Sequence, residues 1–89
     1  IVSNGTRDLR GPARHVRDCL ADTLSGRVFG YGEQVFELGA TTNRNAAMLR
    51  SIGFARFVHI EMDRALRRDL LADARRRAAL RRCLLESAR

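Results

Sequence analysis

The sequence predicts a small α+β domain with the order β-α-β-α-β, a small mixed or antiparallel sheet with flanking helices, and an Arg-rich C-terminal helix. Two observations predict this class. Short β-favouring runs alternate with segments of helical periodicity over residues 1–62, whereas residues 63–89 are dominated by Ala, Leu and Arg without strand signals. The 89 residues are 45% hydrophobic and 30% charged, which is typical of a foldable chain with a small core.

The first part of the chain predicts a strand, a turn and a helix. Ile1–Ser3 is a short β-like segment, and the dipeptide Asn4-Gly5 favours a turn. A helix is expected over residues 13–24, with Pro12 in its first turn and Ser25-Gly26 at its end. Its apolar residues follow steps of three, one and four and form one stripe, namely Val16, Cys19, Leu20 and Leu24.

The central stretch predicts a strand, a short helix and a second strand. Val35–Leu38 is an apolar run, and Asn43 belongs to a cluster of N-cap residues ahead of good helix formers. Gly53 stands where a left-handed residue ends a helix, and a β-like segment follows over residues 54–62. We expect these two strands to pair antiparallel, with the first strand nearby. The expected core is Val2, Val16, Leu20, Leu24, Val35, Leu38, Leu49, Ile52, Phe54, Val58 and Ile60.

Cysteine spacing and hydropathy favour a reduced protein of the cytoplasm. Cys19 and Cys83 are far apart and have no histidine at ligand spacing, so we expect two free thiols and no metal site. No apolar run approaches the ~20 residues of a membrane span, and no signal for secretion is visible, so we expect no membrane partner. A cytoplasmic location is therefore the expectation.

The central stretch resembles the C-terminal half of the GCN5-related N-acetyltransferase family, in which a strand ends in an Asn and a short helix runs to a Gly-Phe. The matching residues are Asn43, Ala46, Leu49 and Gly53-Phe54. The interval from the Asn to the Gly is one residue shorter than is usual in the family. Arg50 occupies the position after the Leu where the family commonly has an aromatic residue, often Tyr. The resemblance implies transfer of an acetyl group from acetyl-CoA to an amine of a small molecule or peptide.

The resemblance also implies a cofactor-binding set. The family binds the pyrophosphate of its cofactor on a turn at a helix N-terminus, where backbone N–H groups and the helix dipole favour an anion. Here Gly11 and Ala13 match that turn and Arg10 lies beside them, whereas Asp8 departs from the expected Gln or Arg and Pro12 lacks an N–H. An ordinary helix that begins at a proline is the alternative. The expected residues for acetyl-CoA are Arg10, Gly11, Ala13 and Asn43.

The resemblance covers only the C-terminal portion of the family's domain, over roughly residues 1–66. We therefore expect residues 1–62 to be a partial acyltransferase-like domain that needs a missing N-terminal half or a second subunit. The position of the family's aromatic acid is filled by Arg50, and Tyr31 lies in the wrong stretch to replace it. Glu61 would serve as a general base only if burial raised its pKa. No catalytic residue is predicted, and we expect no turnover from this chain alone.

The basic residues offer a second class of function. All 17 are arginines, and the net charge of +7 favours anionic partners such as nucleic acid. The Arg bias agrees equally with the base composition of a source genome. On the C-terminal helix the alternatives are a solvated face, a docking arm, or an interface of a nucleic-acid-binding module or ribonucleoprotein subunit. The nucleic-acid contacts would then come from Arg75, Arg76, Arg77, Arg81 and Arg82.

Overall fold

The computed structural model describes residues 1–24, 27–54 and 56–88 and has the predicted α+β class. Four helices and two short strands occur within these residues. The predicted β-α-β-α-β arrangement is not confirmed, because the observed order is β-α-α-β-α-α. The predicted end of the first helix at Ser25-Gly26 lies outside the described residues, as do Ala55 and Arg89. The elements are β1 Val2–Ser3, α1 Gly11–Thr23, α2 Arg44–Ser51, β2 His59–Ile60, α3 Arg64–Ala72 and α4 Ala74–Ser87.

Strand β1 is paired on both sides. It is antiparallel to β2, with Val2 opposite Ile60 and Ser3 opposite His59. On its other edge, the Val2 N–H donates to the Phe29 carbonyl at 2.8 Å, and the Tyr31 N–H donates to the Val2 carbonyl at 2.9 Å. The predicted pairing between the two strands of the central stretch is therefore wrong, because β2 pairs with β1, and the segment on the other edge of β1 is Phe29–Tyr31.

The segment Val35–Leu38 does not form the predicted strand. Leu38 has φ 57°, a left-handed conformation that interrupts extended backbone, and Phe36 is 75% exposed. The buried Ser3 hydroxyl donates to the Gly39 carbonyl and accepts from the Gly5 N–H at 2.8 Å. The hydrogen bond from Ser3 to Gly39 holds the end of this loop against β1, so a tertiary contact overrides the local β propensity of residues 35–38.

Arg17 on α1 fixes the turn that flanks β1. Its guanidinium donates to Gln34 Oε1 at 3.0 Å and forms ion pairs with Asp18 at 2.6 Å and Glu33 at 2.9 Å. Burial acts to lower the pKa of Arg17, but the hydrogen bonds with Asp18 and Glu33 outweigh it and raise that pKa above its ordinary value. Gln34 Oε1 also accepts from the Gly30 N–H at 2.8 Å, so the network reaches the segment paired with β1.

The core lies between β1, α1 and α4. Its buried members are Val2, Leu9, Ala13, Val16, Leu20, Leu24, Val28 and Cys83. Of the predicted core, Val2, Val16, Leu20 and Leu24 are confirmed as buried, and Val58 and Ile60 pack against the cluster while half-buried.

The remaining predicted core residues lie in or near the central stretch. Val35 and Leu49 are half-buried. The prediction that Leu38, Ile52 and Phe54 are buried is wrong, since these residues are 58%, 72% and 45% exposed. The reason for Ile52 and Phe54 is that α2 buries only Ala46, so the end of this helix stands away from the core.

A disulfide between Cys19 and Cys83 joins α1 to α4. The prediction of two free thiols is therefore wrong. The two cysteines are 64 residues apart in sequence, but the packing of α4 against α1 brings their Cα atoms to 5.6 Å. Because a domain of this size has a small core, a cross-link that closes a long loop is an important stabilising element.

The predicted C-terminal helix is broken in two at Asp73. This residue is extended, with φ −119° and ψ 104°, and its carboxylate accepts from the N–H groups of Arg75 and Arg76 at 3.0 and 3.2 Å. Asp63 caps α3 in the same way through the Leu66 N–H at 2.7 Å. The break follows from the strong preference of Asp for an N-cap over a helix interior.

Replacing both cysteines, Cys19→Ser with Cys83→Ser, is expected to lower the free energy of unfolding by about 2–4 kcal/mol, because the long loop is no longer closed. Urea unfolding followed by circular dichroism measures this change. Reductant should destabilise the unmodified chain by a similar amount and leave the double variant unaffected. Equal stability of the two proteins, with and without reductant, would contradict the prediction.

Gly5→Ala is expected to destabilise the fold more than Gly53→Ala. Both glycines have positive φ, +79° and +81°, and share a left-handed cost of about 1–2 kcal/mol. A Cβ at Gly5 would lie 2.9 Å from the Ala46 Cβ, whereas a Cβ at Gly53 meets nothing within 4 Å. Overpacking at Gly5 should add about 1–3 kcal/mol. Thermal unfolding of the two variants compares them, and equal losses would mean that α2 does not pack on this turn.

Candidate ligand-binding site

A cavity of about 470 Å³ lies at the N-terminus of α1. Its walls come from the loop before α1, from the end of α2 and from the segment before β2. Three arginines line it, Arg10, Arg50 and Arg56, together with the aromatic rings of Phe54 and Phe57. The volume lies within the range of small-molecule sites, and the lining combines cationic groups with apolar surface.

The loop before α1 is held by its own hydrogen bonds. Asn4 Oδ1 accepts from the N–H and the hydroxyl of Thr6 at 2.9 and 2.7 Å, and Asn4 Nδ2 donates to the Asp8 carbonyl at 2.8 Å. Arg50 Nη1 donates to the Gly5 carbonyl at 3.3 Å and so fastens α2 to this loop. The wall that carries Arg10 and the helix that carries Arg50 are therefore connected.

The charges around the cavity favour an anion. Among the described residues, Asp8 is the one carboxylate in the lining, and it forms an ion pair with Arg10. Three guanidinium groups and one carboxylate leave a net charge of +2. Arg56 donates to the Ser87 carbonyl at 2.7 Å, which ties this wall to the end of α4. Arginine is suited to phosphate and carboxylate ligands because its planar guanidinium binds them through two parallel hydrogen bonds.

The N-terminus of α1 adds to this field. Arg10 occupies the N-cap position, and within the described residues no side chain caps the first turn. Pro12 contributes no N–H, so fewer backbone donors face the cavity than in a helix without proline. The helix dipole still places partial positive charge at this end.

A second cavity, of about 400 Å³, adjoins the first. Both are lined by Gly11, Pro12 and Arg56, and the second continues to His15 on α1 and to Glu86 near the end of α4. The two cavities therefore lie on either side of the same three residues, and the second one reaches the end of α4.

The structure separates the four residues expected to bind acetyl-CoA. Arg10 and Gly11 line the first cavity. Ala13 is fully buried in the core, and the Asn43 side chain caps α2 by accepting from the Ala46 N–H at 3.0 Å. Asn43 is not among the residues that line this cavity, whereas Arg50, seven residues further along, is.

Sequence reasoning noted Arg50 only as a departure from the family pattern. It did not predict Arg56 or Phe57 as site residues. Their positions depend on how the segment before β2 folds back beside the loop that precedes α1. The sequence did show an arginine, Arg50, at the family's aromatic position. Only the structure shows that this arginine lines the cavity.

Within the described residues, the first cavity offers binding groups but no free acid or base, whereas His15 and Glu86 line the adjoining cavity. Asp8 is engaged by Arg10. Glu61 is exposed and lies 3.3 Å from His59, so the burial required for a general base is not present. Tyr31 is buried, at 6% exposure.

The five arginines predicted to contact nucleic acid fall into two groups. Arg76 and Arg77 are engaged in contacts that join α3 to α4, and Arg82 lies 4.0 Å from Glu86. Arg75 and Arg81 have exposed side chains without an ion pair among the described residues. Nucleic-acid binding through these residues stays a prediction.

Comparison of the chain with protein-family models, curated proteins and solved structures gave no match. The resemblance to the acetyltransferase family therefore depends only on the residues quoted for it. Across residues 1–24, 27–54 and 56–88, no helix is both long enough and apolar enough to cross a membrane. The same residues contain no group of three or more His, Cys, Asp or Glu side chains arranged to hold a metal ion.

Asn43→Ala is expected to lower the free energy of unfolding by about 1 kcal/mol, the usual cost of losing an N-cap. The physical reason is that the Ala46 N–H loses its acceptor. Asn43→Asp, which keeps the capping oxygen, should retain most of the stability and is the matched control. Chemical unfolding of the three proteins provides the measurement, and an unchanged Asn43→Ala variant would show that the cap contributes nothing.

Proposed function

We propose that this chain binds acetyl-CoA as the C-terminal portion of an acyl-CoA-dependent N-acyltransferase. The observation that supports this function is one shared cavity. Arg10 and Gly11, which belong to the segment that resembles the family's pyrophosphate turn, line it together with Arg50, which stands at the family's aromatic position. Two sequence features that are about forty residues apart thus meet at one site.

The chemistry of the cavity suits the nucleotide end of this cofactor. The phosphates would be held by Arg10, Arg50 and Arg56, supported by the positive end of the α1 dipole. The rings of Phe54 and Phe57 offer apolar surface for the adenine base. The adjoining second cavity provides space for the extended arm that carries the acyl group.

The residues fit the phosphates through side chains more than through the backbone. Pro12 removes one N–H from the first turn of α1, and three arginines surround the same space. The amine acceptor, a small molecule or a peptide, would be selected by groups that the lining of this cavity does not supply. We therefore propose cofactor binding without turnover by this chain alone.

A cytoplasmic location is part of the same proposal. The Cys19–Cys83 disulfide is a feature that persists mainly in oxidising compartments. The binding experiment is therefore done on both the oxidised and the reduced protein. In the cytoplasm the disulfide would be reduced, so a cytoplasmic role requires that the reduced protein still binds acetyl-CoA.

Isothermal titration of the purified chain with acetyl-CoA is expected to show saturable binding. Arg50→Gln and Arg10→Gln should each weaken it about tenfold or more, because a hydrogen bond to a charged group contributes about 1.5–3 kcal/mol. Arg44→Gln is the matched control, since Arg44 is an exposed arginine of α2 outside the cavity lining. The control should bind as the unmodified chain does.

Ligand fragments separate the two ends of the cofactor. ADP should bind with the same dependence on Arg50 as acetyl-CoA, whereas pantetheine should bind weakly and without that dependence. Absence of binding by both acetyl-CoA and ADP would overturn the proposed function. Equal losses for Arg50→Gln and Arg44→Gln would show that binding depends on net charge and not on the cavity.

A further inference from the structure

The C-terminal third of the chain carries most of the net positive charge. Residues 63–89 contain nine arginines and four acidic residues, a net +5 of the chain's +7. The structure assigns each acidic residue of this segment a local partner. Asp63 and Asp73 cap α3 and α4, Asp69 pairs with Arg27 and Arg76 at 3.3 Å each, and Glu86 lies near Arg82.

Three of the five arginines of α4 have partners within the fold, whereas Arg75 and Arg81 have no ion pair among the described residues. Arg76 forms ion pairs with Asp69 and Asp73, and Arg77 Nη1 donates to the Leu70 carbonyl at 2.9 Å. The second contact satisfies a carbonyl at the end of α3, where helical partners are lacking. These side chains hold α3 against α4, so they are poorly placed to serve as the main contacts to an external anion.

The arginines of α3 are different. Leu66 and Leu70 turn towards the core, so this helix has one apolar side. At 100° per residue, Arg64 and Arg68 lie on the opposite side with Arg67 next to them. All three are exposed, and within the described residues their guanidinium groups have no ion pair or hydrogen bond. We call these three residues the α3 arginine face.

We propose that the α3 arginine face binds the phosphate backbone of nucleic acid. Three unpaired guanidinium groups on two consecutive helical turns match a ligand with regularly repeated negative charge. Arginine adds bidentate hydrogen bonding to each phosphate. The surface carries no aromatic side chain, so it favours backbone contacts over base recognition.

Two other anionic surfaces fit less well. A helix that binds a membrane surface buries its apolar side in the lipid, whereas the apolar side of α3 is packed on the core of this protein. A protein partner would need several aromatic or apolar anchors that become buried on binding. Among the described residues, this side of α3 offers a single large apolar side chain, Leu71, which is 78% exposed. Nucleic-acid phosphates require neither a free apolar side of the helix nor apolar anchors.

The test measures binding of fluorescent 20-base-pair RNA and DNA duplexes by anisotropy between 50 and 200 mM salt. The triple variant Arg64→Gln, Arg67→Gln and Arg68→Gln removes the face. The control triple variant, Arg7→Gln, Arg14→Gln and Arg44→Gln, removes the same charge from exposed positions outside α3 and α4. Circular dichroism verifies that both variants remain folded.

The unmodified chain should bind a duplex, with affinity falling about 40-fold over this fourfold rise in salt for three phosphate contacts. The α3 variant should lose most of that salt dependence, while the control variant should keep it. Equal losses in the two variants, or no binding to either duplex, would overturn the proposal. Binding to anionic lipid vesicles in place of duplexes would also overturn it. This surface is separate from the cavity at α1, so its failure leaves acetyl-CoA binding unaffected.

Discussion

The packing of α1 against α4, locked by the Cys19–Cys83 disulfide, is the constraint on which the rest of this structure depends. A two-stranded sheet with two residue pairs cannot organise a domain by itself. Helix α1 supplies three of the eight buried residues of the core, its C-cap Leu24 adds a fourth, and α4 closes the core with Cys83. A chain with so little apolar volume gains stability from a covalent link between α1, which packs on the strand, and α4, which packs on α1.

The same packing positions the candidate site. Helix α1 presents its N-terminus at one end of the core, and the end of α4 reaches the same region through the hydrogen bond from Arg56 to the Ser87 carbonyl. Helix α2 is joined by Ala46, which packs on Gly5, and by Arg50, which donates to the Gly5 carbonyl. The first cavity is thus formed by the start of α1, the end of α2 and the segment before β2, and Arg10 lies about forty residues from Arg50 and Arg56.

The arginines have unequal surroundings, although composition treats them as equivalent. Arg17 is buried in a network with Asp18, Glu33 and Gln34, and Arg77 serves a carbonyl of α3. Those of the cavity and of the α3 arginine face lie near space that an anion can enter. A net charge therefore indicates that anions are attracted, whereas the partners of each guanidinium indicate where they can bind.

The sequence by itself determined the elements whose signals are local. The stripe of α1, the Asn43 cap, the left-handed Gly53 and the first strand all depend on neighbours within a few residues, and all are present in the structure. Tertiary structure alone decided the strand pairing, the loss of the strand at 35–38, the disulfide and the cavity. Each of these joins residues about thirty or more positions apart, and only the packed core brings such residues together.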